Sequence, residues 1–429
     1  MPNPADAKTR QPDNMEYIMK RQEPCMDSYD AIVVGGGPAG SSCAMLLARR
    51  GARVLLLDKA SFPRDKPCGD AIGGKALNVL LELGLESELK EKGFLRNSGL
   101  VFSSPNGSQV EIPLLSDGRE MSGGFVCKRL DYDAILFSAA KKLCDVLENA
   151  EAVELIMDGT RVAGVKAKMA DGSVSEFRAK VVIGADGANS LVARKTVGAK
   201  ILPDHYCSAV RGYYSGVGGL RGNIEVHFLP ECMPGYFWIF PLSETTANVG
   251  AGMLLSEITK RKINLSRVLE QCMQNKRFAG RFGNAKLDGE VRGWSLPLAS
   301  AKRACAGEGF VLIGDAASLI DPFSGEGIGN GMKSAKIAAD TLAPAIARGN
   351  VAKEDCLSYE RALWDEIGND VKSSHTLQKL GKHGWLLDFI IGKAGKNERL
   401  RNELAGMMAN REAKKKASDP MFYLRAILG

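Results

Sequence analysis

Residues 29–40 read Tyr29-Asp30-Ala31-Ile32-Val33-Val34-Gly35-Gly36-Gly37-Pro38-Ala39-Gly40, and this stretch decides the fold. A short apolar run breaks into glycines, then continues as an apolar, helix-compatible segment over 41–50. A second strand follows over 53–57 and ends on Asp58, making a strand–helix–strand unit of about 30 residues. Each glycine has a task. Gly35 permits the tight turn, Gly37 lets a pyrophosphate approach the backbone, and Gly40 lets helix and strand pack closely, with Ala39 between them. The helix start offers unpaired N–H groups and a partial positive charge to phosphates, and Asp58 can accept hydrogen bonds from a ribose. Glycine-loop spacing alone is weak; followed by a strand and an acid, it predicts dinucleotide binding.

Working outward, helical periodicity recurs over 76–85 and 132–147, and strand alternation over 100–102 and 110–112. Residues 162–169 and 174–177 predict a hairpin around Asp171-Gly172. Buried-strand runs at 181–183 and 310–313 each end in glycine, the first in Gly184-Ala185-Asp186-Gly187, the second in Gly314-Asp315. Residues 205–295 alternate like an antiparallel sheet, a helix is expected over 327–348, and 352–429 read as helices.

Composition narrows the class. The chain has 429 residues, 45% hydrophobic and 25% charged, which is ordinary for a globular protein and excludes collagen-like or disulfide-scaffold chains. Glycine is in excess, 48 residues or about 11% where about 7% is usual, which suits tight turns and close ligand approach. The ten cysteines show no metal-type CxxC pairs, so no metal site is expected, and they suit a reducing compartment. A net charge of +7 is no argument for nucleic acid. Residues 381–429 hold ten Lys/Arg against five Asp/Glu, so most of that charge sits at one end. No apolar run is long enough to span a membrane as a helix. Residues 1–28 mix four basic with five acidic side chains around Pro2, Pro4, Pro12 and Pro24, and read as a disordered extension.

Three motifs taken together resemble a known family. Besides the first loop, the chain carries Gly184-Ala185-Asp186-Gly187-Ala188-Asn189-Ser190, then Gly314-Asp315-Ala316-Ala317 with Pro322 and Gly325-Glu326-Gly327-Ile328. These resemble the fingerprints of the para-hydroxybenzoate-hydroxylase-like FAD superfamily. The resemblance implies FAD as cofactor, with Asp315 at the ribityl chain and Gly325, Gly327 and Ile328 at the pyrimidine end of the flavin. It also implies Asp186 as a cofactor residue, Arg129 of Arg129-Leu130-Asp131-Tyr132-Asp133 beside the phosphates, and Val153 flanking the adenine. Read by itself, Arg129 is equally a solvated charge at a helix end.

Lys66-Pro67-Cys68-Gly69-Asp70 resembles the Lys-Pro-Cys-Gly-Gly segment of the geranylgeranyl reductase family, with Asp70 where many members have glycine. The resemblance implies that Gly69, Asp70 and Ile72 contact the flavin. Cys68 reads either as a redox or proton-donating thiol or as an inert packed cysteine. Tyr236-Phe237-Trp238-Ile239-Phe240-Pro241 followed by Gly250-Ala251-Gly252 resembles that family's substrate motif. Tyr236, Trp238 and Phe240 share one strand face. If 241 pairs with 247, Trp238 faces Gly250 and Tyr236 faces Gly252, and an apolar trough is expected there.

The implied fold is α/β (α+β overall): a Rossmann-like FAD-binding domain (29–97, 127–200, 296–348) interleaved with an antiparallel-sheet substrate domain (98–126, 201–295), then a helical region (349–429). The implied activity is reduction of C=C bonds in a geranylgeranyl or other polyprenyl lipid. Cys68, Tyr236 and Trp238 are the catalytic candidates, and NAD(P)H or another reductant would bind transiently. Two alternatives stay open: a flavin monooxygenase or halogenase, with Lys66 or Lys75 as its lysine, and an electron-transfer flavoprotein with a membrane partner. Trp385-Leu386-Leu387 and the basic residues Lys393, Lys396, Arg399, Arg401 and Lys414-Lys415-Lys416 suggest a cytoplasmic protein touching anionic lipid peripherally.

Overall fold

The computed structural model describes residues 28–113, 124–398, 400 and 401. Arg399, Lys414-Lys415-Lys416 and the extension expected at 1–28, apart from Ser28, lie outside them.

The strand Tyr29–Val34 sits in the middle of a sheet, parallel to Val174–Gly184 on one side and Val54–Leu57 on the other. Phe310–Leu312 and Asp145–Leu147 extend it in parallel, and Ala306–Gly307 closes one edge antiparallel. Ile32, Val33, Leu55 to Leu57, Val181 to Ile183 and Val311 are all fully buried. That is why these strands read as continuous apolar runs: a parallel sheet is covered on both faces. The helices Pro38–Arg49, Arg129–Ala140 and Ile328–Ala347 pack around it, the first against both others. The Val174–Gly184 strand also carries the expected hairpin, with Lys168 opposite Val174 across Gly172.

A second sheet of seven strands runs Lys286–Pro297, Tyr206–Ser215, Thr246–Leu254, Gly235–Pro241, Asn223–His227, Gly99–Ser103, Gln109–Pro113. Its pairs are antiparallel except one, Asn223–His227 with Gly99–Ser103, which is parallel. An all-antiparallel sheet was expected. The exception arises because these strands lie far apart in the chain and meet through a long excursion, not a hairpin. Phe237, Ile239, Val249 and Ala251 point to the face covered by the helix Leu265–Gln274, burying against Leu269 and Cys272. Tyr236, Trp238 and Phe240 therefore point the other way.

Two helix expectations need correction. The helix expected over 76–85 is Gly74–Glu82, followed by a separate short helix, Glu86–Glu91. The one expected over 132–147 begins at Arg129 and stops at Ala140, and Asp145–Leu147 is a strand beside Leu55–Leu57. Its apolar residues continue the helical rhythm by chance; the sheet edge, a long-range partner, decides their state. A third, three-stranded sheet of Ala71–Ile72, Phe125–Val126 and Leu95–Arg96 joins segments assigned above to different domains. The end of the described chain forms the long helix Lys353–Leu380 and the helix Gly384–Lys396, the latter lying on Gln109–Pro113. Among the described residues no helix is long and apolar enough to cross a membrane, and no group of His, Cys, Asp or Glu is arranged to hold a metal.

Candidate functional site: a cavity between the two sheets

A cavity of about 1250 Å³ lies where the glycine loops of the first sheet meet the aromatic face of the second. Its polar end is built from the ends of the parallel strands. Gly35 has φ +106, and a side chain there would strike the Ala185 carbonyl; a Cβ on Gly40 would meet the Gly35 carbonyl oxygen at 1.8 Å. Both are glycine because backbone crosses backbone. Gly37 differs: a Cβ there would meet only the Arg64 guanidinium at 3.6 Å, so the space before it is open. Helix Pro38–Arg49 starts at that point with no side-chain cap, and Ile328–Ala347 likewise starts uncapped at Gly327. Gly37, Ala39, Gly327 and Ile328 all line the cavity, so two uncapped helix N-termini face it.

Charged side chains complete this end. Arg129 is buried and forms a bidentate pair with Asp133 at 2.6 Å, and Asp133 also holds Arg64 at 2.7 Å. One carboxylate thus holds two guanidinium groups, Arg64 beside the Gly37 opening and Arg129 on the cavity wall. The solvated helix-end reading of Arg129 does not survive its burial. Asp58 accepts the N–H groups of Gly36 at 2.7 Å and Ala60 at 2.9 Å, one on each oxygen, leaving lone pairs for a ribose. Asp315 borders the cavity with Lys66 at 3.3 Å, and Gly325 sits under the Tyr236 hydroxyl.

Two predicted cofactor residues are placed differently. Asp186 spends its carboxylate on Ser190 and on the N–H groups of Leu191 and Val192, which caps the helix Leu191–Thr196. Its neighbours Ala185 and Gly187 line the cavity instead. Val153 is exposed on Glu151–Asp158, which among the described residues pairs with the hairpin strand Arg161–Lys168 alone. The backbone beside Asp58 is that of Asn149 and Ala150, bonded to Ala60 and Asp58. After Ala150 the chain continues into the hairpin that branches from the first sheet.

The Cys68 loop separates the two ends. Cys68, Gly69, Asp70 and Ile72 all line the cavity. Gly69 lies flat on the Phe240 ring, where a Cβ would come within 2.8 Å. Burial pushes the Cys68 thiol up, with the Arg129 guanidinium pulling the other way. Asp70 is fully buried at φ +68 and accepts hydrogen bonds from the Tyr213 hydroxyl and the Asn248 amide, each at 2.8 Å. Burial pushes its carboxyl up to about 6, opposed by those two bonds and by Arg211 and Arg129.

The register of the aromatic wall is the one expected: Tyr236 opposes Gly252, Trp238 opposes Gly250, Pro241 opposes Ala247. The expected trough over both glycines is not there. The Trp238 indole lies on Gly250 so closely that a Cβ would meet its ring at 2.2 Å, and only Gly252 borders the cavity. A wide aromatic ring folds across its strand into the space a missing side chain leaves. Trp238 donates to Asn248 at 2.9 Å, and Tyr236 donates to the Ser324 carbonyl at 2.8 Å. Burial also holds the Tyr236 phenol well above its usual range. Beyond this wall the cavity is apolar, running between Leu77, Leu100, Ile224 and Phe228 to Leu387 and Ile391 of the helix Gly384–Lys396.

Sequence reasoning missed Asn248, Tyr213 and the apolar chamber. Asn248 had a signal: it shares the strand parity of Gly250 and Gly252, so a polar side chain was marked for the cavity face. Tyr213 and the chamber come from segments with no local mark.

Known proteins match this arrangement. A family model described as an FAD binding domain matches residues 28–363. The menaquinone reductase of Mycobacterium tuberculosis strain H37Rv is 35% identical over 323 residues, 74% of this chain and 77% of that protein. The digeranylgeranylglycerophospholipid reductase of Methanosarcina acetivorans is 33% identical over 356 residues, 81% of this chain and 83% of that one. Among solved structures, a geranylgeranyl bacteriochlorophyll reductase-like protein from Thermoplasma acidophilum superposes with a TM-score of 0.79 at 24% identity, covering 94% of this chain and 98% of that one. A flavin-dependent brominase gives a TM-score of 0.76 at 22% identity, with the same coverages. At such identities the structures speak for the fold alone; the matched sequences say more. With the open cradle at Gly37, the paired arginines and the two uncapped helices, the chain belongs to the FAD-binding-domain family and, within it, to the geranylgeranyl reductase family of FAD-dependent oxidoreductases.

Proposed function

We propose that this protein saturates C=C bonds in the isoprenoid chain of a polyprenyl lipid. The observation that carries the reading is the continuity of the cavity: within one volume of about 1250 Å³ it runs from the glycine loops, past Cys68 and the aromatic wall, into an apolar chamber of the chemistry a prenyl chain requires. Bound FAD in its reduced state would supply a hydride to one alkene carbon. The other carbon needs a proton, and Cys68 is the donor we favour, because it lines the cavity beside the aromatic wall and burial keeps its thiol protonated. Tyr236 suits that role less well, since its proton is engaged by the Ser324 carbonyl. It serves with Trp238 and Phe240 as wall. Their ring faces stabilise positive charge building at a substituted alkene carbon, and the apolar lining keeps water from it.

The menaquinone and digeranylgeranylglycerophospholipid reductases among the relatives carry prenyl-type lipids in their names, which supports this class. NAD(P)H or another donor would reduce the flavin in a transient encounter. The halogenase alternative loses support from its two lysines: Lys66 is paired with Asp315, and Lys75 with Asn330, Glu326 and Asp370. Access to a lipid would come at the membrane surface, beside the exposed Trp385.

Anaerobic incubation of the chemically reduced holoenzyme with menaquinone, and separately with a digeranylgeranyl glycerolipid, tests the reading by mass spectrometry. We expect products heavier by pairs of hydrogens under nitrogen. Strict dependence on oxygen, or incorporation of oxygen or halide, overturns it.

A further inference from the structure

Asp70 carries two costs at one position. It is a non-glycine residue in the left-handed region, at φ +68. Its carboxylate is also fully buried with Oδ1 meeting no hydrogen-bond partner. Glycine would relieve both. Strain and an unsatisfied charge that persist on the wall of a ligand cavity point to use rather than to packing.

Its contacts say what the use is. Oδ2 receives the Asn248 amide, and the same amide nitrogen donates to the Cys68 carbonyl at 2.7 Å while the Asn248 oxygen accepts the Trp238 indole N–H at 2.9 Å. One asparagine therefore ties the thiol loop to the aromatic wall, and Asp70 fixes which way that asparagine points. An amide that bonds a carboxylate and a carbonyl with its NH₂ must turn its oxygen to the indole. Asp70 is also held by Tyr213, whose ring lies between the Arg211 and Lys128 cations at 4.2 and 4.6 Å. The charged and titratable groups around it are Arg211 and Tyr213 from one strand, Cys127, Lys128 and Arg129 from the segment opposite, and Asp65 and Cys68 from its own loop.

We propose that Asp70 is a positioning residue: through Asn248 its carboxylate locks the Cys68 loop and the Trp238 indole into one fixed arrangement on the cavity wall. The lock is a charge-assisted one, so it fastens when Asp70 is ionised and loosens when Asp70 takes a proton. The inference rests on the proposed reading only for what the arrangement serves.

The test uses full-length, FAD-loaded protein and two variants, Asp70→Gly and Asp70→Asn. Glycine relieves the backbone and removes the lock; asparagine keeps a hydrogen-bonding oxygen without charge. Alkylation of Cys68 by iodoacetamide, followed on its own peptide, reports the loop. Turnover of menaquinone by the reduced enzyme reports the site. For Asp70→Gly we expect alkylation to rise and kcat to fall, each by about tenfold or more, with KM within about twofold. Wild-type turnover should fall as the pH drops through about 6, and Asp70→Asn should lack that limb. Wild-type alkylation and kcat in Asp70→Gly overturn the proposal. So does an unchanged acid limb in Asp70→Asn, which decides the matter if the glycine variant does not fold. If no prenyl lipid is reduced at all, alkylation still tests the lock and only the substrate reading fails.

Discussion

At the scale of single residues, the site trades stability for arrangement. The folded carboxyl of Asp70 titrates near 6 against an ordinary 3.8, so the folded state binds its proton more readily than the unfolded chain does. Stability therefore falls as pH rises from about 4 to about 6, and above that the ionised carboxylate costs about 3 kcal/mol. Asp70→Asn is expected to raise the denaturant midpoint at pH 8, and the gain should shrink to nothing near pH 4. Equal midpoints at both pH values would show that burial does not penalise this carboxylate. The same scale separates what was readable from what was not. Gly35 and Gly40 were legible because a backbone crossing leaves no alternative to glycine, and Gly37 because its place in the loop is where a phosphate would approach the backbone. Asp186 shows the limit of such reading, because a capping carboxylate and a ligand-binding one look alike in sequence; its bonds to the N–H groups of Leu191 and Val192 appear only in the folded chain.

Among elements, the helix Gly384–Lys396 depends on close approach. A Cβ on Gly395 would meet the Gln109 carbonyl at 2.7 Å, and Gly384 and Gly392 face Pro105 and Ser108 with little room. Leu387 and Ile391, carried on this helix, close the far end of the apolar chamber. Gly395→Ala should push the helix off Gln109–Pro113 at a cost of about 1–3 kcal/mol. The expected kinetic result is a higher KM for a long-chain prenyl substrate with kcat preserved, since the Cys68 loop is remote from the change. A fall in kcat alone would place the helix's influence elsewhere. Helical character over Lys353–Leu380 and Gly384–Lys396 was legible in the sequence. The strand it lies on was legible too, but their meeting was not, since neither segment carries a mark for the other.

For the whole molecule, the proposed function raises the question of how a lipid would reach a site between two sheets. Trp385 is 69% exposed, and the helix that bears it lines the chamber. A large aromatic ring with Lys393 and Lys396 on the same helix suits a headgroup layer. Sedimentation with vesicles containing anionic lipid should recover the holoenzyme, and Trp385→Ser should lower that recovery several-fold while flavin content stays unchanged. Equal recovery of both proteins would remove this helix as the contact.

The amino-acid order by itself determined the cofactor loops, the class of the fold and the pairing of the aromatic strand with Gly250 and Gly252. Each of these rests on local constraints: glycines where backbones cross, alternation along strands, a turn that sets register. Tertiary structure alone decided that Trp238 fills the space over Gly250, that Asp145–Leu147 is a strand, and that Asp70, Tyr213 and Asn248 converge behind Cys68. Those outcomes depend on contacts between segments as much as 180 residues apart. A spacing rule is blind to partners that the chain brings together only after it has folded.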